Sequence, residues 1–263
     1  MCLYRIFALM VRYLLEVPRD FFRIFDLTFY PTMDIILWGF MSLWVQTNSV
    51  EASRVGPLML ISLVFWMLVE NANREIAFNL TEELYAKNLV NILVTPLQLR
   101  EWIAAVVSLA VLRSTFVFIL CSCIVWVLRD INVFVFGPLF FVLYGLLLMS
   151  GIALGLAITA LLIRWGRRIS TFIWSIPYLI LSFSAVFYPI DLLPSWAQYI
   201  GKAMPISHSF YLLRNFVATG TIAWTSVYVG LALNVTYLML SSMLFLWMFN
   251  RSRNSGLAQI EYY

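Results

Sequence analysis

The sequence predicts an all-α polytopic membrane protein with six transmembrane helices. Three observations lead there. First, only 11% of the 263 residues are charged and 63% are hydrophobic, with a mean hydropathy of +0.90. A soluble domain carries roughly 25% charged residues. Second, the chain contains uncharged runs at 131–163, 169–190 and 215–250. Each is long enough to cross hydrocarbon, which takes about 20 residues. Third, the long runs lack the period-2 alternation of a lipid-facing barrel. The same figures exclude a disordered chain. They argue against a nucleic-acid binder, because the basic residues do not cluster on polar segments.

Three further spans complete the six. They cover 27–45 with Asp34, 55–73 with Glu70, and 104–128 with Arg113. A charge at membrane depth is costly unless it faces protein or water. Arg113 is therefore expected to meet a carboxylate from the first or second span, with Glu70 the first choice. Asp34 lies near an interface, where snorkelling explains it.

The basic residues set the orientation. Twelve of the 17 lie in the amino-terminal segment, the loops after the second and fourth spans, and the tail. Short cytoplasmic loops are rich in Lys and Arg. Both termini are accordingly expected in the cytoplasm. Residues 1–25 are interrupted by Arg12, Glu16, Arg19, Asp20 and Arg23, so they do not read as a cleavable leader. Leu3, Phe7, Met10, Leu14 and Leu15 recur with Arg5 and Arg12 between them, which predicts a helix lying along the lipid interface.

Two polar segments stand out. Residues 74–97 form the longest polar insertion, with Glu82, Glu83 and Lys87 beside Leu84, Tyr85, Leu89 and Ile92. This predicts a short amphipathic helix ending near Thr95-Pro96. It is either a docking element or a solvated connector. Residues 190–216 are punctuated by Pro194 and Pro205, with Pro189 just before, and predict two short helices that dip into the outer leaflet and return.

Chemistry-bearing motifs are few. Cys2, Cys121 and Cys123 have no metal-like spacing, and His208 is alone. The chain has no Gly-x-x-x-x-Gly-Lys-Ser/Thr loop and only two lysines, Lys87 and Lys202. Asn79-Leu80-Thr81 and Asn234-Val235-Thr236 match glycosylation acceptors, but one is expected in the cytoplasm and the other inside a span. Gly151 and Gly155 form a small-residue face for close helix packing.

Several stretches occur in the order seen in one family. They are Gly166-Arg167-Arg168, then Ser184-Ala185-Val186-Phe187-Tyr188-Pro189, Leu193-Pro194-Ser195-Trp196, Met204-Pro205-Ile206-Ser207-His208 and Leu213-Arg214-Asn215. Glu82-Glu83 through Leu93-Val94-Thr95-Pro96-Leu97 adds a second match. Together they resemble the membrane subunits of type-2 ATP-binding cassette (ABC-2) exporters, over essentially the whole chain. The family's usual Gly in the coupling stretch is replaced by Tyr85-Ala86-Lys87-Asn88.

That resemblance implies a single permease domain of the type V exporter arrangement in a bacterial or archaeal cytoplasmic membrane. It implies a second permease copy, a homodimer in preference to a heterodimer, and a cytosolic ATPase dimer as partner. ATP and Mg would be held by that partner, and this chain would bind no cofactor and catalyse nothing. Residues 74–97 would be the coupling segment, with Glu82, Glu83, Lys87 and Leu89 at the docking surface. Spans one and five would meet across the dimer. Tyr30, Trp38, Phe183, Phe187, Tyr188, Pro189, Leu193, Pro194 and Trp196 would then line the pathway or its outer gate. Membrane lipids would contact the interfacial helix, and nucleic acid would not be a partner. The expected cargo is a hydrophobic drug, a lipid or a lipid-linked glycan. An ion-coupled secondary transporter and a non-transporting structural subunit are the alternatives.

Overall fold

The structure is a computed structural model that describes residues 2–16, 21–48, 52–85 and 97–254. Among these, nine α-helices occur and no strand. They are α1 (Leu3–Glu16), α2 (Phe21–Asn48), α3 (Ala52–Tyr85), α4 (Leu99–Arg129) and α5 (Pro138–Trp165). There follow α6 (Phe172–Phe183), α7 (Ser195–Ala203), α8 (Pro205–Thr219) and α9 (Trp224–Asn254). The protein is a polytopic helical membrane protein. Among the described residues four helices, α3, α4, α5 and α9, are long and apolar enough to cross a bilayer.

The other two expected spans differ from these four. α2 has the length, at 28 residues, but Asp26, Thr28, Pro31, Thr32 and Asp34 dilute its hydropathy. α6 is only 12 residues long. At 1.5 Å per residue it rises about 18 Å, well short of a hydrocarbon core of about 30 Å. It ends because Ala185 takes a left-handed φ of 51°, which turns the chain away.

Sequence signals set the other helix ends. The backbone N–H of Gln98 donates to the Glu101 carboxylate at 3.2 Å, closing the first turn of α4. Gly137, at a positive φ, hands over to Pro138 at the start of α5, where a missing N–H costs nothing.

α3 and α5 lie at the centre. α5 packs against α3 and α9, and α3 also packs against α2 and α4. Val64, Phe65, Leu68, Val69 and Ala72 of α3 are fully buried. α9 buries far less and turns Tyr228, Leu231, Met239, Leu240 and Met243 outward, as a helix facing lipid does. The core forms two layers. One joins Phe65, Phe118 and Leu139 to Phe210 and Leu213 of α8. The other joins Tyr13 of α1 to Trp102, Leu109, Leu162 and Phe245.

The α3–α5 contact depends on small residues. A Cβ on Gly151 would stand 2.7 Å from the Val69 carbonyl oxygen and 2.9 Å from Ala72 Cβ. One on Gly155 would stand 3.0 Å from Ile76 Cβ. The expected glycine face is thus a helix contact within the chain. Alongside it, Ser150 donates to Asn234 Oδ1 at 2.7 Å and ties α5 to α9.

Gly151→Ala is expected to destabilise the bundle by about 1–3 kcal/mol through overpacking. Gly145→Ala, whose Cβ would meet nothing within 4 Å, is expected to be neutral. Thermal unfolding of both variants in one detergent checks the contrast.

Candidate functional site

Arg113 on α4 is a buried cation, at 5% exposure. Its Nη1 donates to Glu75 Oε2 of α3 at 2.5 Å, and its Nη2 donates to the Tyr13 carbonyl of α1 at 3.0 Å. Asn79 supports Glu75 from one turn along α3. Glu70, the expected partner, is engaged elsewhere, 3.7 Å from Arg74. The partner is instead Glu75, which lies beyond the expected second span of 55–73, in the segment expected as a cytoplasmic insertion, on the continuation of the same helix. Five residues along a helix rotate a side chain by about 140°, so Glu70 and Glu75 face different neighbours.

Around this pair α1 is fastened with its charged side inward. Tyr13 is buried, donates from its phenol to Glu83 Oε1 at 2.8 Å, and accepts from Trp102 Nε1 at 3.3 Å. Burial, with the Glu83 carboxylate beside it, holds the Tyr13 phenol well above its ordinary value, so it remains a donor. Arg12 lies 3.0 Å from Glu83, and Arg5 lies 3.6 Å from Glu101. The Cys2 backbone N–H donates to Glu101 at 2.6 Å. Leu3, Tyr4, Phe7 and Leu15 are left exposed on the outer face. The amphipathic pattern of α1 is thus satisfied by an inward polar face and an outward apolar one.

The expected docking residues sit in different surroundings. Glu83 is 3% exposed and braced by Tyr13 and Arg12 of α1. Glu82 remains half-exposed, with Arg23 of α2 at 2.9 Å. α3 runs through both residues to Tyr85 as one continuous helix. Lys87 and Leu89 lie outside the described residues.

A second charged group joins α2, α3 and α6. Arg74 donates to Asn71 Oδ1 at 2.6 Å and lies over the Trp174 ring at 5.1 Å. Asp34 of α2 is half-buried. Beside this group α2, α3 and the start of α6 line an open cavity of about 540 Å³. Among the described residues, no group of three or more His, Cys, Asp or Glu is placed to hold a metal ion.

The expected gate residues gather at the turn after α6. Trp38 of α2 stacks on Phe187 with centroids 4.6 Å apart. Phe183 meets the edge of Trp196 at 5.7 Å. The Tyr188 hydroxyl donates back to the Ser182 carbonyl. Pro189 and Leu193 bracket a short 3-10 turn over Ile190–Leu192, and Pro194 caps α7. α7 lies close over this turn because Gly201 approaches the Phe183 carbonyl, where a Cβ would stand 2.8 Å away. Tyr30 is not brought here; it packs against Phe29, two turns before Trp38 on α2.

Arg214 of α8 holds the turn. Its Nη1 donates to the Ala185 carbonyl at 2.6 Å and lies 3.4 Å from that of Val186. Burial draws its pKa down to about 10, which leaves it charged at neutral pH. Two separate stretches of the sequence, Ser184–Pro189 and Leu213–Asn215, are joined by this contact.

No family model matches the chain, and no curated protein matches it. The fold and the buried charges define a polytopic helical membrane protein whose shape fits movement of a molecule across a bilayer.

Two outcomes follow from the geometry. Arg113→Met leaves Glu75 buried without its cation and is expected to cost about 3–5 kcal/mol, with most of it recovered in the Arg113→Met, Glu75→Leu double variant. Chemical denaturation in detergent measures the set. At the turn after α6 a left-handed L-residue costs roughly 1–2 kcal/mol. Ala185→Gly is therefore expected to preserve or raise the melting temperature, and Ala185→Val to lower it.

Proposed function

We propose that this chain is the membrane-spanning subunit of an ATP-driven exporter of the ABC-2 type, working as a dimer with a separate cytosolic ATPase. In this reading the α1 end faces the cytosol, in line with the distribution of basic residues, α2 provides the first of six spans, and α6 with the turn and short helices that follow it stands in place of the fifth. The observation that carries the reading is the junction of α1, α3 and α4. There Arg113, Glu75 and Tyr13 tie a surface helix to two helices of the bundle. A push on the surface at Glu82 is passed to the membrane interior through one continuous helix, α3. A two-state permease biased by a partner needs such a lever.

The cargo is a hydrophobic drug, a lipid or a lipid-linked glycan, moved outward past Trp38, Phe187 and the α7–α8 cap. ATP and Mg belong to the partner, since this chain has no phosphate-binding loop. The exposed aromatic faces of α2 and α6, with Phe40, Trp44, Phe172 and Tyr178, suit contact with the second permease copy. A second reading, ion-coupled transport, is favoured by Glu70, a carboxylate of α3 that lies 3.7 Å from Arg74, with Asp34 half-buried on α2.

The test is purification of the tagged protein from its native membrane in mild detergent, followed by mass spectrometry. The export reading expects a stoichiometric ATPase subunit with a phosphate-binding loop. A reproducibly ATPase-free particle, under conditions that preserve known complexes, supports ion coupling instead. Within an ATPase complex, Glu82→Lys is expected to weaken association about fivefold, the effect of roughly 1 kcal/mol at a rim charge. Unchanged affinity at normal expression removes Glu82 from the interface.

A further inference from the structure

The cavity between α2, α3 and α6 has a definite chemistry, set by which of its charges are already matched. On α3, Arg74, Phe78 and Glu82 recur every four residues and so form one stripe. On α2, Phe22 and Asp26 form a second stripe by the same spacing, and both stripes line the cavity. Trp174, from the first turn of α6, completes the wall and meets Phe78 edge-on at 5.7 Å.

Each charge in this wall but one has a partner. Arg23 lies 2.9 Å from Glu82, Glu75 lies 2.5 Å from Arg113, and Arg74 is held by Glu70, Asn71 and the Trp174 ring. Asp26 has no ion pair or hydrogen bond among the described residues. The excess charge is therefore one carboxylate, beside the aromatic rings of Phe22 and Phe78 and the apolar side chains of Leu27 and Ile173. Aromatic faces and a carboxylate together attract a weakly hydrated organic cation. An anion meets the unmatched Asp26 and two guanidinium groups that are already occupied. A volume of about 540 Å³ lies in the size range of pockets that take drug-sized molecules, here with one side open.

We propose that this cavity binds an amphiphilic organic cation, with its charge against Asp26 and its apolar body against Phe22, Phe78 and Leu27. The proposal rests on the export reading in that it names the class of molecule such an exporter admits. Binding is measured without any ATPase, so the two readings fail separately.

The experiment uses the full chain in phosphatidylcholine nanodiscs, with empty discs subtracted. Its probes are tetraphenylphosphonium and tetraphenylborate, which share a shape and differ in the sign of their charge. Saturable binding of the phosphonium is expected, with no saturable binding of the borate. Asp26→Asn is expected to weaken phosphonium binding about tenfold, the effect of losing an ion pair in an aromatic site, and Asp26→Glu to retain it. Asp26 is exposed, so neither substitution disturbs the core. Phe78→Ala, which removes one ring while leaving the charge, is expected to weaken the phosphonium as well. Equal binding of the two probes overturns the proposal, as does phosphonium affinity in Asp26→Asn within about twofold of the original.

Discussion

A guanidinium buried among helices has to be neutralised, and the way Arg113 is neutralised organises one end of this molecule. The Glu75 carboxylate supplies the charge, and the Tyr13 carbonyl takes a second N–H. That second bond requires α1 to lie against α4 with Tyr13 beneath it. Once Tyr13 is buried, its hydroxyl needs a partner, and Glu83 provides one. Glu83 in turn takes Arg12 from the same helix. A chain of buried polar requirements thus fixes the position of a helix whose remaining surface is apolar. Such a network is costly to leave incomplete, which makes its members depend on one another.

The opposite layer of the core has a different organisation. There the chain must reverse after a helix of only 12 residues, and Ala185 adopts a left-handed conformation to do so. Arg214 stabilises the reversal by donating to the carbonyls that the turn leaves open. The stacked pair Trp38–Phe187 then joins the turn to α2. One end is held by buried ion pairs, and the other by a single cation on backbone oxygens. Between them α3 and α5 pack closely through Gly151 and Gly155.

Much of this was legible in the sequence. Uncharged runs locate α5, α6 and α9, an apolar run interrupted by Arg113 locates α4, and the glycine pair reports a close helix contact. The apolar recurrence in residues 3–15 predicts α1. The prolines at 189, 194 and 205 mark the short helices α7 and α8. The site was legible only in part. That Arg113 needs a carboxylate follows from burial alone, but the choice of Glu75 over Glu70 depends on helix rotation and on what α2 presents. Glu83 looks like a surface residue until α1 is laid over it, which no local pattern reveals. Asp26, Tyr13 and Glu75 were missed because each is ordinary in its own helix. The signal that finds Asp26 is the Phe22–Asp26 stripe facing the Arg74–Phe78–Glu82 stripe, and it becomes visible once the two helices are side by side. α6 is shorter than its uncharged run because backbone conformation at Ala185, not hydropathy, ends it.

The central claim is that the Arg113–Glu75 pair holds α1 against the bundle. Hydrogen exchange of the backbone amides of the intact protein and of Glu75→Gln measures this directly. The account predicts that the amides of α1 lose protection in the variant while those of α5 and α9 keep theirs. Unchanged protection of α1, or an equal loss across all helices, contradicts it.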